Sequence, residues 1–149
     1  MNIPQVRFSY LSDGYDHNKE IVCRKIIEVV SPLIELPKEI IIQFTDLGDS
    51  VYAETSIDFR FKNRISLNSR LPTEELPIPL VHELIHVNQS HLGILKASRT
   101  GAVFWQNRLH RFTENMTYEQ HQTLPWEMDV TNRHSALLQK ALIGLKGVQ

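Results

Sequence analysis

The stretch PIPLVHELIHVNQSH (residues 77–91) decides how the rest of the chain must fold around it. Its apolar residues recur at helical spacing, and its two prolines are tolerated only at or just before the first turn, because proline cannot donate a backbone hydrogen bond. Positions i and i+4 of a helix share one face, so His82 and His86 can present two imidazole nitrogens to one metal ion. Glu83 lies beside that pair, where its carboxylate can take a proton from a water molecule that the metal activates.

An accidental match to this HExxH pattern is improbable in a chain of this composition. With seven His and eleven Glu among 149 residues, chance alone produces the pattern roughly 2% of the time. A buried helix face is otherwise a poor place for two imidazoles and a carboxylate, because each unpaired polar group there costs on the order of 1–3 kcal/mol. We therefore predict a metal site, with hydrogen-bonded core histidines as the alternative.

A catalytic zinc site needs a third protein ligand, since its tetrahedral shell combines three such ligands with water. The long form of the motif, with Gly at position 89 and His at position 92, is excluded because the chain has Gln89 and Leu92 there. The segment LPWEMDV (residues 124–130) offers Glu127 in the first turn of a predicted last helix. Its carboxylate would offset zinc charge that two neutral imidazoles leave uncompensated, so we predict Glu127 as the third ligand. The competing candidates are His110, His121, His134, Glu114 and Glu119.

The elements around this helix predict one α+β domain that spans residues 1–149, with a small, mainly antiparallel sheet packed on the active helix. No repeat or long linker divides the chain. Residues 93–101 are expected to be irregular. The predicted elements are a helix from Asp16 to about Pro32, strands within residues 39–45, 51–59 and 61–68, the helix that ends near His91, a hairpin around Gln106 and Asn107, and a last helix from about Pro125 to Leu145.

The bulk composition limits the partners that the protein can have. A formal net charge of −1 indicates no general attraction to nucleic acid or to anionic membranes. No segment approaches the roughly 18 apolar residues of a membrane span, and the N-terminus lacks the pattern of a secretory signal. We therefore expect a cytoplasmic protein without a membrane partner. The single cysteine, Cys23, lies in an apolar run and is expected to be a packed thiol.

Four segments together resemble the small gluzincin-type zinc metallopeptidases of the minigluzincin or phage type. The segments are ISLN, VHELIHVNQ, VFW and LPWEMDV, in that order, and the resemblance covers roughly residues 57–138. It implies a zincin-like fold with zinc bound by His82, His86 and Glu127. It also implies Glu83 as the catalytic base and a peptide or protein as the substrate.

The resemblance implies further roles around the metal. In the zincin architecture a strand edge lies antiparallel to the bound peptide above the active helix, and the strand within residues 61–68 is the matching one. A Tyr before the glutamate ligand, or a later His, steadies the oxyanion in larger thermolysin-like enzymes, and Tyr118 and His134 are the matching candidates. Those enzymes also place an Asp four residues after the glutamate ligand to orient a zinc histidine. Here that position is Thr131, and the nearest acid is Asp129.

Three functions follow from these observations. The first is hydrolysis of peptide bonds by a zinc peptidase. The second is a protease of narrow specificity that cuts one partner or acts in DNA-linked repair, similar to the SprT group. The third is a non-catalytic module stapled by zinc, although structural zinc sites usually have four protein ligands and favour Cys. For the second function, a local basic patch that binds DNA could be formed by Arg99, Arg108, Arg111 and Arg133.

Overall fold

The computed structural model describes residues 3–11, 15–49, 52–55, 63–98, 102–110 and 116–146. Within this part of the chain the protein has the expected α+β composition, with four α-helices, one 3₁₀ turn and two small sheets. The elements are β1 (Gln5–Tyr10), α1 (His17–Val30), β2 (Glu39–Thr45), β3 (Ala53–Thr55), β4 (Arg64–Asn68), the 3₁₀ turn Thr73–Glu75, α2 (Pro77–His91), β5 (Leu95–Ala97), β6 (Val103–Trp105), β7 (Arg108–His110), α3 (Tyr118–Gln122) and α4 (Pro125–Leu145).

The larger sheet has the strand order β1-β2-β4-β3. Strands β1 and β4 both run parallel to β2, and only β3 runs antiparallel to its neighbour β4. The expectation of a mainly antiparallel sheet is therefore wrong for this sheet. The parallel pairing of β1 with β2 is possible because two parallel strands need a long crossover connection, and α1 provides it. Strand β1, which was not predicted, makes this topology possible.

Strand β4 lies inside the sheet, between β2 and β3. The implied role of residues 61–68 as the free edge above the active helix is therefore wrong for residues 65–67, which have paired neighbours on both sides. The strand at that edge is β3, which packs against α2. Residues 51 and 56–62, which complete the second and third predicted strands, lie outside the described residues.

The main core lies between the larger sheet and helices α1, α2 and α4. Alternate residues of β2 point into it, as expected for a strand with one covered face. On α2, Leu84 and Ile85 are fully buried in this core, which leaves the face with His82 and His86 for α4. The other fully buried aliphatic side chains of this core are Ile26, Ile27, Val30, Ile40, Ile42, Ile65, Leu67, Leu76, Leu80, Val81, Val87 and Ala141.

The start of α1 and the turn of the hairpin both follow from local sequence rules. The Asp16 side chain caps α1 by accepting hydrogen bonds from the backbone N–H groups of Asn18 and Lys19. The predicted hairpin is confirmed: Gln106 and Asn107 link β6 to β7 with φ values of 50° and 66°, the left-handed pair that a tight hairpin turn requires. No helix in the described part of the chain is long and apolar enough to cross a membrane.

A second, smaller core joins the three-stranded sheet β5-β6-β7 to the start of α4. Its buried members are Leu95, Val103, Leu124 and Trp126. Residues 95–97 form strand β5 although residues 93–101 were expected to be irregular. Three residues are too short for a periodic pattern, and the strand exists because Leu95 packs into this cluster and its backbone pairs with β6.

Candidate metal centre

Helix α2 presents the two histidines of the HExxH stretch on one face. His82 and His86 are one turn apart, and their ring centroids are 5.0 Å from each other. The opposite face is anchored in the main core, so the rotation of α2 about its axis is set by burial of its apolar residues. The two imidazoles therefore point to a common place outside the core.

Helix α4 brings a carboxylate to the same place from its first turn. Pro125 is in the first turn of α4 and Trp126 is buried in the smaller core, which turns Glu127 towards α2. The Oε1 atom of Glu127 lies 2.9 Å from His86 Nε2, and its Oε2 atom lies 3.4 Å from His82 Nε2. Ligand atoms of the three side chains all lie within 4.8 Å of one another. The predicted convergence of His82, His86 and Glu127 is confirmed.

The donor set and its spacing fit a metal ion. Zinc bonds of about 2.0–2.2 Å at tetrahedral angles place neighbouring ligand atoms roughly 3.3–3.6 Å apart. The 3.4 Å between Glu127 Oε2 and His82 Nε2 lies in that range, and the 2.9 Å between Glu127 Oε1 and His86 Nε2 is shorter, at hydrogen-bond distance. These three residues could therefore hold an ion with small movements of their side chains.

Glu127 and His86 shift each other's pKa values, and His82 contributes to the shift of Glu127. Burial raises the pKa of Glu127. Hydrogen bonds from His82 and His86, together with their charges, lower it by more than burial raises it, so the pKa is well below the ordinary value. Burial lowers the pKa of His86, but Glu127 and the charge of Glu83 outweigh burial and raise it. A charged carboxylate thus faces an imidazole whose protonated form is favoured, and a metal ion at this place would compete with that proton.

The site is closed on one side and open on the other. The side chains of His86 and Glu127 are each 8% exposed, whereas that of His82 is 36% exposed. Glu83 follows His82 on α2 and is itself buried. It is close enough for its charge to act on His86. The arrangement therefore combines a buried ligand pair with a ligand that solvent can reach.

The two residues predicted to steady the oxyanion occupy different surroundings. The His134 ring lies 6.2 Å from the His82 ring, and its Nε2 is 2.9 Å from the carbonyl oxygen of Ile78. An N–H at Nε2 donates to that carbonyl, so a neutral His134 keeps only an acceptor at Nδ1, and a second donor requires the protonated ring. Tyr118 begins α3 and is 78% exposed. The catalytic roles of both residues stay predictions.

The other candidates for the third ligand that the structure describes are not part of the group. Within the described residues, the only cluster of three or more potential ligands is the one formed by His82, His86 and Glu127. His110 instead packs edge-on against Trp126, with ring centroids 5.6 Å apart. His121 and Glu119 lie on α3, and Glu114 lies outside the described residues.

One polar contact of the site was missed in the sequence. The Nδ1 atom of His86 lies 2.8 Å from Oε1 of Gln89, a buried residue three positions later on the same helix face. In the sequence, Gln89 served only to exclude the long motif, which has Gly at that position. Its spacing of three residues from His86 could have predicted a side-chain contact on the same helix face. Thr131 does not orient a histidine: its hydroxyl donates to the backbone carbonyl of Glu127.

No protein-family model, curated protein or solved structure matches this chain. The candidate site therefore stands on its geometry, and membership of the gluzincin-type peptidases stays a prediction.

Proposed function

We propose that this protein is a zinc-dependent peptidase of the gluzincin type. The observation that carries the proposal is the meeting of His82, His86 and Glu127 at a place that solvent reaches from the His82 side. Two imidazoles and one carboxylate are a ligand set of catalytic zinc sites, which keep the fourth position open. Zinc would supply a Lewis acid and would lower the pKa of water at the site to about 7.

Glu83 is the proposed general base. It is buried beside the ligand pair, and its charge acts on His86, which places it close to the site. In the proposed reaction Glu83 takes a proton from the attacking water as the water oxygen bonds to the peptide carbonyl carbon. The carboxylic acid then gives that proton to the leaving nitrogen as the C–N bond breaks. The water oxygen ends in the new carboxyl group, one proton of the water ends on the new amine, and the second proton is released when the carboxyl group ionises to the carboxylate.

The substrate is proposed to bind in extended form along β3. Strand β3 is the terminal strand of the larger sheet in its described part, and it packs against α2, which carries the histidines. Its inner side is occupied by β4. The outer backbone groups are the means by which an extended peptide could be added as a further strand. In this proposal β3 takes the substrate-binding role that the sequence had suggested for β4, because β4 is paired on both sides over residues 65–67.

A purely structural zinc site has less support. Such sites usually have four protein ligands and favour Cys, whereas the group has three members within the described residues. The single cysteine, Cys23, is fully buried in the main core on α1. A nucleic-acid-linked function also has less support: of the two patch arginines that the structure describes, Arg108 is exposed on β7, but Arg133 is bonded to Asp129 and Asn88. Arg99 and Arg111 lie outside the described residues.

The proposal is tested by replacing the carboxylate of Glu83 with an amide of the same shape. We expect Glu83→Gln to keep zinc and the fold but to lose hydrolysis of casein and of a mixed peptide library, because the amide cannot accept the proton. Glu74→Gln, at an exposed position of the 3₁₀ turn, is the matched control and should remain active. Wild-type rates in Glu83→Gln, or no hydrolysis by the zinc-loaded wild type, would contradict the proposal.

A further inference from the structure

Gln89 makes hydrogen bonds at both ends of its side-chain amide although it is fully buried. Its Oε1 lies 2.8 Å from His86 Nδ1. Its Nε2 lies 2.9 Å from the backbone carbonyl oxygen of Trp126 and 2.9 Å from Oδ2 of Asp129. The amide therefore lies between a proposed metal ligand on α2 and the first turn of α4.

The surroundings of Gln89 permit one orientation of its amide. The Trp126 carbonyl and the Asp129 carboxylate can only accept hydrogen bonds, so the NH₂ group must face them. The carbonyl oxygen of Gln89 then faces His86, and Nδ1 of His86 must carry a proton to donate to it. As a result Nε2, the nitrogen that faces Glu127, is the one available to a metal.

Asp129 is held in turn by a chain of hydrogen bonds. Arg133 donates to Oδ2 of Asp129 over 2.6 Å and to the Asn88 side-chain oxygen over 2.9 Å. The Asn88 amide donates to the backbone carbonyl of Glu35 over 2.7 Å. These bonds connect α2, α4 and the segment between α1 and β2. The acceptor that fixes Gln89 therefore has little freedom to move.

We propose that Gln89 and Asp129 act as a positioning pair that fixes the tautomer and ring orientation of His86 for binding a divalent metal through Nε2. The proposal rests on the metal site of the proposed function. In this pair Gln89 contacts the histidine, where a carboxylate could otherwise do so. Asp129 does not contact His86 and acts by holding the Gln89 amide. Partners of metal-bound histidines that orient the ring typically account for 10–100-fold in metal affinity.

The first test is the zinc dissociation constant of Gln89→Ala, measured by competition with a chromophoric chelator. We expect zinc binding about 10–100-fold weaker than in the wild type. Gln139→Ala, at an exposed position of α4, is the matched control and should bind as the wild type does. The His86 Nδ1–H proton should also be visible by ¹⁵N-edited NMR of the zinc-loaded wild type and should exchange with solvent faster in Gln89→Ala.

A polarity swap separates positioning from a general packing effect. Gln89→Glu alone should bind zinc weakly, because its carboxylate would face the acceptors of Trp126 and Asp129. Oδ2 of Asp129 accepts from both Gln89 and Arg133. Adding Asp129→Asn lets the new amide turn its Nδ2 to Glu at position 89 and its Oδ1 to Arg133, so the double variant should recover part of the affinity. This comparison also decides the matter where Gln89→Ala does not fold.

The outcomes distinguish this proposal from the metal site itself. Wild-type zinc affinity in a folded Gln89→Ala, or no recovery in the double variant, overturns the positioning role while the metal site stands. A wild-type chain that binds no zinc overturns both. Weakened binding in Gln89→Ala with recovery in the double variant supports the positioning pair.

Discussion

Raising the pH from about 5.5 to about 7.5 at constant free zinc should increase the stabilisation of this protein by zinc. Burial lowers the pKa of His86, but Glu127 and Glu83 outweigh it and raise the pKa, so a proton competes with zinc for this imidazole. The pKa of Glu127 is lowered well below the ordinary value, so the carboxylate has no proton to release over this range. We therefore expect zinc binding to release up to one proton from His86.

The size of the effect follows from that proton. One proton displaced contributes about 1.4 kcal/mol per pH unit as long as the pH is below the pKa of the group, hence up to about 2.7 kcal/mol over two units. For a chain of 149 residues, each 1 kcal/mol moves Tm by about 2–4 °C. The Tm increase caused by zinc should thus grow by up to about 5–11 °C.

The metal-free protein should not gain in the same way. The raised pKa of His86 contributes stability that is fully present below its unfolded pKa of about 6.5 and is lost as the pH rises through the folded pKa. The lowered pKa of Glu127 contributes stability present above its unfolded pKa of about 4.5 and lost as the pH falls through the folded pKa. The ion pair is therefore most stabilising between those two unfolded values.

The assay is thermal unfolding with and without zinc at both pH values, with free zinc held constant by a metal buffer. Calorimetric titration in two buffers of different ionisation enthalpy counts the protons released. His91→Gln, at the exposed end of α2, is the control and should behave as the wild type. A zinc-induced Tm shift that is equal at the two pH values, or larger at the lower one, would contradict the displacement of a proton from His86 by zinc.

Two further outcomes are expected. Burial raises the pKa of the Cys23 thiol to about 12, so a thiol reagent at about pH 8 should leave the native protein unmodified and label one thiol per chain after denaturation; labelling of the native protein would contradict the packed thiol. His134→Ala should lower kcat by about 10²–10³ if this residue supplies the donor for the oxyanion, with zinc content unchanged. Tyr118→Phe is the parallel variant, and a loss of that size there instead would move the role to Tyr118.

Features that depend on spacing within one segment could be predicted from the sequence. The i and i+4 positions of His82 and His86 follow from helix geometry, and the apolar residues between them indicate which face is buried. The Pro–Trp–Glu order places Glu127 in the first turn of α4 for the same local reason. The convergence of these two elements was inferred from the need for a third ligand, and the structure confirms it.

Features that depend on contacts between distant segments could not be predicted in the same way. Strand β1 is stabilised by its pairing with β2, and α1 separates the two in the chain. The central position of β4 depends on neighbours on both sides, which no local pattern specifies. Gln89 illustrates the same limit at the site: its spacing from His86 was visible, but its role depends on Trp126 and Asp129 across a helix interface.

The most direct test of the account is the zinc content and zinc coordination of the wild type beside Glu127→Ala, measured by metal analysis and X-ray absorption. We expect one zinc per wild-type chain, bound by two imidazole nitrogens and a carboxylate oxygen with a remaining position for solvent. Glu127→Ala should keep its fold, judged by circular dichroism, and lose the zinc. Full retention of zinc by Glu127→Ala, or a wild-type chain that binds none, would contradict the convergence of His82, His86 and Glu127 on one ion.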